Sequence, residues 1–350
     1  MNGLDVIGAR LNNQKLVSPG FKMAAEVVRW FGAVQAQDFK AAKWALALRM
    51  RTATDAVVED AFNKGEILRT HVMRPTWHFV APEDIRWLLQ LTAPRVNLKC
   101  GPNNRKFELD AALFKRSNKI FEKALRGGNY LIRSELKSAL NRAQIDANDP
   151  VRLVHILLRA ELDGVICSGP RLGKQFTYAL LEERTPVAKI LKREEALAEL
   201  TRRYFTSHGP ATLPDFVWWS GLTVDDAKRG IASIDSELEK AKLHEKVYWS
   251  ARTSRTRQQS ANSIHLLPAF DEYFVAYKDR QIAVAPSLST WDVLGPTFLI
   301  DGIATGTWKR SESGNIEFNT SRALKKSEKL ALDEAADRYA AYLGDISRRR

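Results

Sequence analysis

Two carboxamide side chains stand one residue apart at Gln35-Ala36-Gln37, directly before Asp38. They follow a stretch whose apolar residues Val27, Val28, Trp30, Phe31 and Val34 keep helical spacing, and Gly32 offers that helix an end. In a helix, positions i and i+2 point to different sides, whereas in an extended segment they share a face. Past a helix end at Gly32 both amides would therefore converge on one pocket. Such a pocket holds two neutral groups that each donate and accept hydrogen bonds. The plainer alternative is a pair of surface glutamines at a helix terminus.

Other constellations that carry chemistry are missing. No glycine-rich loop follows a strand in the dinucleotide or P-loop pattern. The six histidines, His71, His78, His155, His208, His244 and His265, include no i, i+4 pair of the kind that grips a metal. Gly169-Pro170-Arg171-Leu172-Gly173-Lys174 has the wrong spacing for a phosphate loop and reads better as a hairpin turn. Asp225-Asp226 and Glu182-Glu183 fall at helix ends, where acids complement the helix dipole. Two-metal nuclease chemistry has no support.

The elements that must position the glutamines recur along the chain. Ile132 to Ala143 and Val151 to Leu162 read as helices, and Asp163 to Tyr178 as two strands around a Gly/Pro-rich basic loop. Two short helices and a hairpin make a winged helix, a helix-turn-helix variant that docks on DNA. Ala198–Ser207, Leu213–Trp219 and Thr223–Ile234 read as helices before a strand at Lys246–Trp249. Phe21–Gly32 and Thr54–Gly65 read as helices before strands at Ile67–Met73 and Trp77–Val80. Pro94 to Pro102 reads as a break.

From residue 263 the pattern changes. Ile264–Ala269, Phe274–Tyr277, Phe298–Ile300, Ala304–Lys309 and Ile316–Phe318 are strand-like, with turns at Asp301-Gly302 and Ser313-Gly314. An amphipathic helix spans Ser327–Tyr342. The expected fold is mainly α with β-hairpins (α+β): winged-helix units at 1–92, 110–184 and 190–262, then a β-rich domain with a terminal helix at 263–350.

The chain has 350 residues, 45% of them hydrophobic, and a formal charge of +13. That suffices for several small cores. Cys100 and Cys167 cannot form a disulfide framework, and no apolar run is long enough to span a bilayer. The first ten residues lack the apolar centre of a signal peptide, so a cytoplasmic, nucleoid-associated protein is expected. Charge alone is consistent with plain solubility, but charge with repeated winged helices points to phosphate polymers. Arg252, Arg255 and Arg257 lie in a carboxylate-free stretch, Ser250 to Ser263, where a wing loop should fall.

Taken with their order, these segments resemble the winged-helix family of AlkZ-like DNA glycosylases over nearly the whole length. Gln35-Ala36-Gln37 is similar to its Gln–aliphatic–Gln catalytic motif, and Arg69 to His78 to its first wing, with Pro75 where glycine is expected. Gly164–Tyr178, and His208-Gly209-Pro210-Ala211-Thr212 with Trp218-Trp219, resemble its second and third units. Leu266 to Tyr273, Tyr277-Lys278-Asp279-Arg280, Asp301-Gly302 and Gly306-Thr307-Trp308 resemble its C-terminal signature.

The resemblance implies a monofunctional enzyme, free of metal and cofactor, that removes N7-alkylguanine from double-stranded DNA and in some members unhooks crosslinks. A cationic base is a good leaving group, so the enzyme needs chiefly a held water and a polar setting for a developing cation. Gln37 would position water and Gln35 support water and sugar. Asp38 is an electrostatic helper or, more simply, a helix cap. His78 would be a structural hydrogen-bonder, and Trp218 or Trp219 a stacking platform or core. Arg69, Arg74, Arg252, Arg255, Arg257, Lys278 and Arg280 are the expected DNA contacts, on a monomer. The competing expectation is a non-catalytic winged-helix regulator, since fold alone serves both.

Overall fold

The structure, a computed structural model, describes residues 2–185, 189–252, 263–320 and 322–344. In chain order its elements begin α1 (Gly3–Asn13), α2 (Ala24–Phe31), β1 (Val34–Gln35), α3 (Phe39–Ala47), α4 (Asp55–Lys64), β2 (Leu68–His71) and β3 (Trp77–Val80). Next come α5 (Ile85–Lys106), α6 (Ala111–Leu125), β4 (Leu131–Ile132), α7 (Arg133–Arg142), α8 (Pro150–Leu162), β5 (Ile166–Leu172), β6 (Gln175–Leu180) and α9 (Leu181–Arg184). Then follow α10 (Arg193–Ser207), α11 (Leu213–Ser220), α12 (Val224–Ser233), β7 (Leu238–Leu243), β8 (Lys246–Ala251) and β9 (Ile264–Leu267). The chain closes with α13 (Glu272–Val275), β10 (Thr297–Ile300), β11 (Ile303–Arg310), β12 (Ile316–Thr320) and α14 (Lys326–Tyr342). It is an α+β protein with small antiparallel sheets. Among the described residues no helix is long and apolar enough to cross a membrane.

Contacts divide the chain into two units. One gathers Met1–Glu59, Ala198–Trp219 and Thr223–Arg350; the other holds Asp60–Leu197 and Ser220–Leu222. The stretch read along the sequence as one unit, 1–92, is thus shared between them.

In the second of these, α6, α7 and α8 bury Phe114, Phe121, Leu136, Leu140, Leu153 and Ile156 with Ile166 and Leu180 of the hairpin. Asp110 caps α6 by accepting the Leu113 N–H, and Asp149 caps α8, whose first residue is Pro150. Strands β5 and β6 pair from Ile166–Leu180 to Leu172–Gln175, and β4 adds to β6. Gly173, at φ +58, turns the hairpin, so the Gly169–Lys174 segment is a hairpin tip.

The break expected at Pro94–Pro102 is instead the interior of the 22-residue helix α5. Proline removes the hydrogen bond to the carbonyl four residues back. Here those carbonyls belong to Gln90 and Leu98, both exposed, as are the two prolines, so water can satisfy them. The opposite side carries Leu88, Leu91, Val96 and Cys100 into the core and holds the helix together.

The first-named unit is built on an antiparallel sheet of order β12-β11-β10-β9. Asp301 and Gly302, at φ +50 and +82, make the tight turn between β10 and β11. A Cβ on Gly302 would meet Ile7 Cγ2 at 2.4 Å. Leu332, Ala335 and Ala336 of α14 pack with Trp44, Leu266, Phe298 and Trp308. Ile7 and Leu11 of α1 pack with Leu267, Tyr273 and Leu299. Thr223 caps α12 by accepting the Asp226 N–H.

Three readings of this unit change. Strand β7, which pairs with β8, has no counterpart among the expected strands. Helix α10 starts at Arg193, before Ala198. The apolar run Phe274–Tyr277 is not a strand: Asp271 accepts the Tyr273 N–H at 2.9 Å and starts the helical turn α13. Because its residues are buried on all sides, the run shows no period to separate turn from strand.

Candidate active site

The Gln35-Ala36-Gln37 segment leaves α2 through Gly32, whose φ of +83 lies where glycine is favoured and whose N–H donates to the Val28 carbonyl at 2.8 Å. Val34 and Gln35 then run extended. Asp38 starts the next helix, its carboxylate accepting the Ala41 N–H at 3.0 Å. The capping role weighed for Asp38 is therefore observed. The two amides differ in setting: Gln35 is 8% exposed, whereas Gln37 is exposed at the approach to α3.

A buried carboxylate holds this segment. Glu272, 1% exposed, takes the Gln35 backbone N–H on Oε1 at 2.8 Å. Its Oε2 lies 3.2 Å from His208 Nε2 and 3.0 Å from Trp219 Nε1. Burial lowers the His208 pKa, and Glu272 opposes that shift without cancelling it. The neighbouring Asp271 forms a bidentate pair with Arg49 at 2.8 and 2.9 Å, and Arg49 also donates to Gln14 at 3.0 Å. Asp271-Glu272 thus ties the start of α13 to the turn after α3 and to β1. Glu272 falls in the Leu266 to Tyr273 segment that resembles the family's C-terminal signature, and the resemblance implies no role for it. A glutamate inside the apolar run Leu266–Tyr277 is the one signal that could have found it.

The two tryptophans separate. Trp219 is fully buried and serves the core, while Trp218 is 42% exposed and donates to the Val275 carbonyl at 3.0 Å. His78 is fully buried, with Nδ1 2.9 Å from the Thr76 carbonyl and Nε2 3.4 Å from Arg74.

The expected DNA contacts fall in both units, Arg69 and Arg74 in the second and Arg252, Lys278 and Arg280 in the first. Arg69 is 7% exposed, its guanidinium 4.2 Å from the Trp77 ring and 4.7 Å from the Phe176 ring, and it lines a cavity of about 250 Å3. Arg74 is half-buried and Lys278 exposed. Arg280 is 8% exposed, with Nε donating to the Phe274 carbonyl at 2.8 Å; burial lowers its pKa despite Asp215 and Asp279. Arg252 is exposed and donates to the Ser236 carbonyl at 3.0 Å. Arg255 and Arg257 lie outside the described residues.

Comparison with known proteins places these features. The profile of a family described as DNA glycosylase AlkZ-like matches residues 28–342. The "Interstrand DNA cross-link repair glycosylase" of Streptomyces sahachiroi is 23% identical over 332 residues, covering 87% of this chain and 86% of its own. The solved structure of "Streptomyces sahachiroi DNA glycosylase AlkZ" superposes with a TM-score of 0.81 at 19% identity, over 98% of this chain and 97% of that one. That superposition shows a shared fold. The family match decides between enzyme and non-catalytic regulator: the chain belongs to the AlkZ-like DNA glycosylase family and is a DNA glycosylase acting in DNA repair.

Proposed function

We propose that this chain hydrolyses the N-glycosidic bond of N7-alkylguanine in double-stranded DNA, with Gln37 positioning the water and Gln35 supporting water and sugar. The observation that carries this reading is the extended Val34–Gln35 segment, pinned by Glu272 and followed, after the buried Ala36, by the exposed Gln37. A cationic base departs with its bonding electrons, leaving oxocarbenium character on the sugar. Neutral amides can orient the attacking water and face that charge without trapping it as a covalent adduct. Glu272 fixes the backbone from which Gln35 projects and is a positioning residue.

Residues 110–184 and 190–262 are read as winged helices, each a succession of helices closed by a hairpin. The third, 1–92, has parts in both compact units, and 263–350 forms the β-rich C-terminal part. Arg69, Arg74, Arg252, Arg255, Arg257, Lys278 and Arg280 supply the basic contacts, and the protein works as a cytoplasmic, nucleoid-associated monomer. Crosslinked guanines form a second substrate class, favoured by the name of the Streptomyces sahachiroi relative. The test is release of N7-methylguanine from methylated duplex under single-turnover conditions. Tight DNA binding without release from any alkylated duplex would sink this assignment.

A further inference from the structure

Helix α5 carries Arg86, Arg95, Lys99, Arg105 and Lys106 and not one carboxylate. Its first half is largely buried, and its second half emerges from the core. There Val96 and Cys100 stay inside, Lys99, Pro102 and Lys106 are exposed, and Arg95 is half-buried. Arg95, Lys99, Pro102 and Lys106 are spaced i, i+4, i+7 and i+11, so they form one stripe on the solvent side. The helical rise makes that stripe about 16 Å long. It exists only because α5 runs through both of its prolines, and a break at Pro94–Pro102 would have dispersed it.

Surface cations elsewhere in the chain have acids beside them. Lys64 pairs with Asp60, Arg159 with Asp163 and Arg202 with Glu237. On α5 that compensation is missing. Among the described residues neither Arg95 nor Lys99 forms an ion pair. Lys99 is exposed, yet desolvation lowers its pKa, and the like charges of Arg95 and of Arg74, from the turn between β2 and β3, lower it further. Three cations are thus held together against their mutual repulsion. Arg105 and Lys106 in the last turn also complement the helix dipole, an effect that fades within one turn and does not account for Arg95 or Lys99. A polyanion relieves the repulsion of all of them.

We propose that the solvent-facing stripe of α5, joined by Arg74, lies along the sugar–phosphate backbone of duplex DNA, with Arg95, Lys99 and Lys106 each neutralising a phosphate. One strand presents a phosphate every 3.4 Å or so of duplex axis, so a stripe of about 16 Å passes roughly five of them. Contacts of this kind fix the register of the protein on the duplex without reading its sequence. The proposal rests on DNA being the substrate and not on which base is released. Release of N7-methylguanine by the unaltered protein, assayed alongside, separates failure of that reading from failure of this one.

The experiment is fluorescence anisotropy of the full chain on an undamaged duplex across a salt series. Arg95→Gln, Lys99→Gln and Lys106→Gln combined remove three phosphate contacts, so the slope of log affinity against log salt should fall by about 2.7. Raising salt from about 50 to about 200 mM should then cost the wild type about fortyfold more affinity than the variant. Lys99→Gln with Lys106→Gln, both at exposed positions, should lower the slope by about 1.8 and tests the stripe even if the triple variant fails to fold. A control with Lys64→Gln, Lys240→Gln and Lys309→Gln removes the same net charge from lysines paired with Asp60, Asp235 and Glu317, and should keep the wild-type slope. An unchanged slope in the double variant overturns the proposal, and so does an equal fall in the control. Wild-type binding to phosphatidylserine vesicles as tight as to duplex, and lost equally in the variant, would assign the stripe to a lipid surface instead.

Discussion

The carboxylate of Glu272 and the backbone N–H of Gln35 meet at 2.8 Å although 237 residues separate them. The bond anchors the main chain of the motif rather than its amide. Both carboxylate oxygens face donors: that of Gln35 on Oε1, and those of His208 and Trp219 on Oε2. Burial keeps His208 in its neutral form, so the cluster is a buried carboxylate satisfied by neutral donors.

Glu272→Gln tests that anchor. The substitution keeps the shape but turns one oxygen into an NH2 group. Either the Gln35 N–H or the His208–Trp219 pair then faces a donor. An unmatched buried donor costs about 1–3 kcal/mol, so urea unfolding should show a loss of that order. Single-turnover base release should fall as well, because Gln35 loses its fixed backbone. Unchanged stability together with unchanged release would remove Glu272 from the positioning role.

Gln37→Ala should lower single-turnover base release by roughly ten- to a thousandfold, since a water-holding group acts mainly in the transition state. Affinity for undamaged duplex should barely move, because a neutral side chain contributes little to phosphate attraction. Gln35→Ala should lower release more mildly. The measurement is release of N7-methylguanine beside a binding isotherm on the same DNA; equal release by wild type and Gln37→Ala would end the assignment.

The local signals were legible where the sequence carries a period or a turn. The hairpin at Gly173 and the turn at Asp301-Gly302 follow from residues that accept φ above zero, and Asp38 and Thr223 cap the helices they precede. Long-range satisfaction of buried groups was not legible. The partnership of Glu272 with Gln35, or of Asp271 with Arg49, depends on packing that no local pattern encodes. Helix α5 was missed for a related reason: its prolines face solvent, where their cost is small, and only the tertiary core decides that.

The exposed Arg252 precedes the stretch that carries Arg255 and Arg257. Replacing all three with alanine should weaken duplex binding and flatten the slope of log affinity against log salt. Each phosphate that the protein no longer neutralises should reduce that slope by about 0.9. Fluorescence anisotropy across a salt series reads it directly, and an unaltered slope would place these arginines off the DNA surface.

His265 gives the chain an acid-sensitive point. It lies in β9, 8% exposed, and burial together with the charges of Arg338 and Arg49 lowers its pKa to about 3. Its Nε2 has no hydrogen-bond partner among the described residues. The unfolded chain takes up a proton on this ring near pH 6.5, well before the folded one does. The stability it contributes is therefore complete above about pH 6.5 and is lost as pH falls toward 3. Between pH 6.5 and pH 5 the loss should be about 2 kcal/mol from this group. His265→Phe removes the titration while keeping an apolar ring on the buried strand. The drop in unfolding free energy between pH 7 and pH 5 should therefore be about 2 kcal/mol smaller in His265→Phe than in wild type. His208, whose pKa is also lowered by burial, remains in both proteins and cancels from that difference. Equal drops in the two urea series would mean that His265 titrates alike in the folded and unfolded chains.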